Sequence, residues 1–211
     1  FTFVFPSTSV LDAGFASLDT FFSNAPLFFL FLIPAITMRM FAEEFNTGTI
    51  ELLLTRPLKI IDIIGGKFLA ALMLVVFSIL PTIVYYFSIY KLAVPIGNVD
   101  TGGIIGSYFG LILLGASFVA LGTFSSAITN NQIIAFLIGV LFCFTFYMGL
   151  DFLAKMPVFV GRLDYFIEHL GVNAHYLAMS KGVIDTRDLL YFLSLIIIFL
   201  LLTKIVLTKR K

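Results

Sequence analysis

Few side chains in this 211-residue chain can make or break bonds, and their spacing suits that work poorly. His169 and His175 lie with Glu168 in one stretch, but no HExxH, CxxC or facing pair accompanies them. A closed metal site needs several convergent ligands, so both read as satisfied or solvated histidines. Ser117, in Gly115-Ala116-Ser117-Phe118, is the nearest approach to a nucleophile inside an apolar run. Such a serine needs an activating base facing it, and both histidines fall outside the apolar runs. Gly65-Gly66-Lys67-Phe68 lacks the upstream glycine and the Ser or Thr of a phosphate-binding loop. Cys143 is the single cysteine, set in an apolar run, and reads as a small packing residue. These observations assign no catalytic, cofactor-binding or metal-ligating residue to the chain.

What remains is a stretch of ionisable groups from Glu43 to Lys67, EEFNTGTIELLLTRPLKIIDIIGGK. It holds Glu43, Glu44, Glu51 and Asp62 and, counting Arg39 just before it, four basic residues with Arg56, Lys59 and Lys67. Strongly apolar segments clamp it on both sides, so it must lie in water at a membrane face. Ile50, Leu52, Leu53 and Leu54 form a short apolar cluster, and Pro57 lacks the amide and the room to continue a helix. The pattern predicts a short interfacial helix, a break, and a second helix rising into the bilayer from about Gly65 or Gly66.

Composition places these elements. Hydrophobic residues make up 60% and charged residues 12% of the chain, and mean hydropathy is +1.10. Soluble domains carry roughly 25% charge, so the chain reads as an all-α polytopic membrane protein, one domain over residues 1–211. The net charge of +1 points to no nucleic-acid partner. Five spans are expected. The first covers Ala25 to Met40, with Pro34 inside it. The second lies in the 23 uncharged residues between Lys67 and Lys91, where Pro81 should kink it; about 20 residues suffice to cross. No charge appears from Thr101 to Leu150, room for two more helices, with Thr129, Asn130, Asn131 and Gln132 at the turn. The last span runs from Leu189 to about Thr203. Gly106 and Gly110 have the GxxxG spacing that lets helices approach closely, within one subunit or at a dimer seam.

Pro6 to Asn24 has the texture of a segment lying on a membrane surface and lacks the basic start of a signal peptide. The Asp151 to Asp188 stretch, with five acidic and four basic residues among apolar ones, predicts short outer interfacial helices. If the Glu43–Lys67 loop and the C-terminus are cytoplasmic, that side holds eight basic residues and the other five, in keeping with the positive-inside rule. That orientation puts Phe1 outside. An additional N-terminal helix, of which FTFVFP would be the tail, would give six spans.

The order E-E, G-T-I-E-L-L-L-T, R-P-L and G-K ahead of a new apolar run resembles the first cytoplasmic loop of ABC-2 type permeases, the membrane subunits of ATP-driven exporters. The resemblance falls on Glu43, Glu44, Gly48, Thr49, Glu51, Leu52, Leu53, Pro57, Gly66 and Lys67, with Leu54 completing the apolar cluster. It departs where the family usually has basic residues after the acidic pair, because Phe45 and Asn46 stand there. Near the end, NAHYLAMSKGVIDTRDLLYFLS is similar to the approach to the last helix in the permease of the gliding-motility transporter of Bacteroidetes-type bacteria and its relatives, at His175, Tyr176, Gly182, Val183, Ile184, Asp185, Arg187, Asp188, Tyr191 and Phe192. The resemblance implies a bacterial inner-membrane permease with a cytoplasmic coupling helix and an outer cap on the last helix. It implies a second permease subunit and a separate ABC ATPase that binds ATP and Mg, leaving no cofactor in this chain.

Two rival readings come from other classes. A secondary transporter places ionisable groups at midplane beside broken helices, yet the best-defined spans here carry none at their centres. An intramembrane serine protease would need a base facing Ser117. On the capping reading, His175→Ala leaves assembly and activity largely intact, checked by metal content and by recovery of the complex. Loss of a bound transition metal on that substitution would contradict it.

Overall fold

A computed structural model describes residues 18–51, 59–93, 97–156, 161, 164–183 and 185–210, without the side chains of 164–166. Every described element is helical. In order these are α1 (Asp19–Thr37), α2 (Ala42–Thr47), α3 (Ile60–Ile79), a 3-10 turn (Leu80–Thr82), α4 (Ile83–Leu92), α5 (Thr101–Ile128), α6 (Gln132–Phe144), a π-helical turn (Thr145–Gly149), α7 (Leu150–Ala154), α8 (Asp164–Leu170), α9 (Val172–Met179) and α10 (Thr186–Lys209). Five stretches are long and apolar enough to cross a membrane: Asp19–Thr47, Ile60–Leu92, Thr101–Ile128, Gln132–Ala154 and Thr186–Lys209.

α5 is the centre of the bundle and packs against α10, α6, α1, α3 and α9. Sixty-seven per cent of its most apolar window is buried, against 17% for Ile60–Leu92, whose Leu69, Met73, Phe77 and Val84 face outward. Small residues permit that centrality, because they let neighbouring backbones close in. A Cβ at Gly122 would sit on Thr37 Oγ1, one at Gly115 would come 2.9 Å from Val75 of α3, and one at Gly110 would lie 2.7 Å from Met179 Cβ. The Gly106–Gly110 spacing therefore receives the end of α9 and the segment after it, with Met179 against Gly110 and Gly182 against Gly106. It is packing inside one subunit.

Helix ends follow side-chain chemistry. Asp100 caps α5 by accepting from the Gly103 amide at 3.0 Å, and Asn131 caps α6 by accepting from Ile133 at 2.9 Å. That puts the turn between the third and fourth spans where Thr129–Gln132 predicts it. At Pro81, whose ring has no amide to donate, the second span changes to a 3-10 turn.

Three boundaries differ from expectation. The first span starts at Asp19, so residues 19–24 belong to a crossing helix and not to a surface segment. Polar Asp19, Thr20, Ser23 and Asn24 lie in its opening turns, where interface and water are near. The second helix starts at Ile60 and runs through Gly65 and Gly66; membrane helices tolerate glycine because hydrocarbon offers the backbone no other partner. The last helix extends to Lys209, past Thr203. Its lysines have stems long enough to reach the interface.

Pro26 lies inside α1 and leaves the Phe22 carbonyl without the amide four residues on. Tyr176 of α9 donates its hydroxyl to that carbonyl at 2.7 Å, from a fully buried ring. Tyr176→Phe should keep the packing and strand the carbonyl, a loss of about 1–3 kcal/mol. A fall in thermal midpoint of the purified protein checks this, and an unchanged midpoint would contradict it.

Candidate functional site

The polar stretch after α1 folds as an elbow. Residues 38–41 turn, α2 follows, and Gly48 ends α2 in the left-handed conformation at φ 71°. Helix resumes at residues 50–51. Leu52, Leu53, Leu54 and Pro57 lie outside the described residues, so the expected helix–break pattern is described here only as far as Glu51. Gly48 suits its place because a left-handed residue closing a helix strains any side chain with a Cβ. Thr47 donates to the Glu43 carbonyl at 2.9 Å and its hydroxyl meets that of Thr49 at 2.9 Å.

The elbow has two faces. Phe41, Ala42 and Ile50 are buried, with Phe41 and Ile50 in a cluster with Ile63, Ile64, Ala127 and Leu207 that joins it to α3, α5 and α10. Glu43, Asn46, Thr47, Gly48, Thr49 and Glu51 are exposed. Glu44 turns inward: its Oε1 accepts from Lys67 Nζ at 2.5 Å, with both side chains about one-fifth exposed. Lys67 also donates to the Met40 carbonyl at 2.5 Å and sits 4.8 Å over the Phe41 ring. The acidic pair is thus divided, Glu43 toward solvent and Glu44 into the fold. Among the described residues, Glu44 Oε2 is buried without a hydrogen-bond partner.

Two residues hold this elbow that the sequence reading passed over. Ser126 of α5 meets the backbone at its bend. Arg210 lies 4.7 Å over the Phe45 ring while donating to Asn130 Oδ1 at 2.7 Å and to the Ile128 carbonyl. A cation from the far end of the chain therefore stands beside Phe45, where the family usually has local basic residues. A serine at the end of an apolar run, one turn before a polar turn, was the only signal for Ser126.

The other end of the bundle gathers the second group. Asp185 Oδ1 accepts from the Arg187 amide at 3.1 Å and caps α10, and that bond holds its carboxyl below the usual carboxylate range. Asp188 is buried, and its Oδ1 pairs with His175 Nδ1 at 2.6 Å. His175 Nε2 meets the His169 carbonyl at 2.9 Å, and Tyr191 stacks on the ring at 4.0 Å. Both ring nitrogens of His175 are therefore engaged. This clamp ties α8, α9 and α10 together. His175→Ala, read from sequence as mild, would leave the buried Asp188 carboxylate without that partner, and the cost would appear in stability. Gly182, at φ 80°, brings its backbone against Gly103; Ile184 lies outside the described residues. Arg187 is exposed.

Among the described residues, Ser117 and the two histidines do not come together. Ser117 donates to Leu113 in its own helix, while His175 is engaged by Asp188 and His169 at the bundle end. Among the described residues no group of three or more His, Cys, Asp or Glu side chains converges. What the geometry provides is an exposed polar elbow fastened to three crossing helices.

Comparison with curated proteins gives no match. The family model described as ABC-2 family transporter protein matches residues 5–211, nearly the whole chain. With five apolar helices of crossing length in an all-helical described bundle, this chain belongs to the ABC-2 transporter family as a multi-pass membrane subunit.

Proposed function

We propose that this chain is the permease subunit of an ATP-driven exporter of the bacterial inner membrane, and that the Glu43–Glu51 elbow and the residues after it seat against a separate ABC ATPase. The observation that carries this is the divided elbow, whose apolar side is fastened to α3, α5 and α10 while its polar side stands free for a partner. Glu43, Gly48, Thr49 and Glu51 supply the polar contact, Glu44 fixes the elbow through Lys67, and Leu52, Leu53 and Leu54 ahead of Pro57 supply the apolar contact. ATP and Mg belong to the ATPase. A second permease subunit, identical or related, completes the path across the membrane.

The elbow and the C-terminus face the cytoplasm, and the cap of His175, Gly182, Asp185, Arg187 and Asp188 faces outward. Eight basic residues against five support that orientation. The finer assignment, to the gliding-motility transporter, rests on the similarity of the His175–Phe192 stretch. The lack of charge along α5 supports drive from outside the membrane over ion coupling, because coupled transporters hold ionisable groups at midplane.

Orientation is checked with cysteines placed at Thr47 and Asn173 in a Cys143→Ser background, using an impermeant thiol reagent on intact cells. Position 173 should label and 47 should not; the reverse would overturn the topology. Docking is checked by pull-down of the ATPase and by its hydrolysis rate in nanodiscs. Each leucine buried there contributes roughly 1.5–3 kcal/mol, and an unpaired charge in such a contact costs about 3–5 kcal/mol. Leu53→Asp should therefore weaken the complex by on the order of 100-fold or more, while Glu51→Ala should leave it assembled with weaker coupling. Unchanged binding and hydrolysis in Leu53→Asp would return the stretch to an ordinary loop.

A further inference from the structure

We propose that Ser126 is the joint through which the elbow moves α5, a positioning residue that acts through the backbone between α1 and α2. The proposal rests on the reading of the elbow as the ATPase seat.

α2 starts without a side-chain cap of its own, since Phe41 precedes it. Its first amides need acceptors, as any helix start does. The Ser126 hydroxyl provides one from another helix: it accepts from the Phe41 amide at 3.0 Å and from the Ala42 amide at 3.1 Å. The same oxygen donates its proton to the Met38 carbonyl at 3.0 Å, just past the end of α1. One fully buried hydroxyl thus closes the end of one helix and the start of the next, across 84 to 88 residues of sequence.

The neighbours of Ser126 on α5 turn this into a fixed linkage. Gly122 lies one turn earlier on the same face, where only a hydrogen fits beside Thr37. Thr123 reaches Met40 Sδ at 3.7 Å. α5 therefore grips residues 37–42 over a full turn. Among the described residues the Ser126 hydroxyl is the buried polar attachment of the start of α2 to α5, and a push on Glu43 or Thr47 reaches the central helix there. At its other end α5 holds Gly182 and Met179 against Gly103, Gly106 and Gly110. A displacement of the elbow that carries α5 is delivered to the opposite face of the bundle.

The test uses the full chain in nanodiscs, alone and with its ATPase, as Ser126→Ala and as Ser126→Thr, which retains the hydroxyl. Hydrogen exchange on the permease alone reads the joint: Ser126→Ala should speed exchange of the Phe41 and Ala42 amides at least 10-fold, and Ser126→Thr should restore protection. Transmission is read with a single cysteine at Lys181 in the Cys143→Ser background, as the change in thiol modification rate when a non-hydrolysable ATP analogue is added to the complex. Ser126→Ala should bind the ATPase as the unsubstituted chain does and lose most of that change. Ser126→Thr should recover it.

Unchanged exchange in Ser126→Ala would overturn the joint. Faster exchange with the nucleotide response intact would overturn transmission, as would loss of the response together with ATPase binding. If the unsubstituted chain binds no ATPase, the docking reading fails by itself, and the exchange measurement still decides the joint.

Discussion

The junctions of this bundle are built around carbonyls that helix ends leave open. Each helix ends with carbonyls that have no amide to accept, and near a bilayer water cannot be relied on to meet them. Side chains from other elements do so. Ser126 meets Met38, Lys67 meets Met40, Arg210 meets Ile128, Tyr191 meets Leu170 and Ser107 meets Ser180. Tyr176 meets Phe22, left open by Pro26 inside α1. Because the donor usually comes from a different helix, satisfying the backbone and fastening the bundle become one act. A neutral hydrogen bond contributes only about 0.5–1.5 kcal/mol net, but an open buried carbonyl costs more, which confines a buried junction such as Tyr176 with Phe22 to the position where its donor stands.

The apolar interior follows from the same need. Donors can reach a neighbouring helix end only if the helices are close, and α5 secures that with glycine and serine where larger side chains would intervene. Gly122 under Thr37, Gly103 against Gly182 and Gly110 under Met179 are such close approaches. The lipid-facing helices have no such demand. Met73 and Phe77 on α3 need only be apolar.

That division explains what the sequence made legible. Uncharged runs of crossing length, the caps at Asp100 and Asn131, and the break at Pro81 are local signals, and the crossing helices lie close to where those signals put them. The polar elbow stood out because polar residues between apolar runs are expensive to hide. Boundaries shifted where polar residues sit in a helix's opening turns, as Asp19 and Asn24 do, and where Gly65 and Gly66 looked like a start yet lie mid-helix. Ser126, Arg210 and the His175–Asp188 pair act across long stretches of chain. A hydroxyl at the end of an apolar run carries no local mark of the amides it will accept, so its partners become visible only when the bundle closes.

The distribution of charge completes the physical picture. α5 carries no Asp, Glu, Lys, Arg or His, and the acid–base contacts described, Glu44 with Lys67 and Asp188 with His175, lie at opposite ends of the bundle. Along α5, the centre of the bundle, there is no carboxylate, amine, guanidinium or imidazole. The two ends are not equivalent in what they expose. At the Asp188 end the pair is locked under Tyr191 and joins three helices to one another. At the Glu44 end the pair pulls one side of an elbow inward and leaves Glu43, Thr47, Thr49 and Glu51 outside. The exposed polar residues of the elbow are fastened to α5 through Ser126 and to α3 through Lys67.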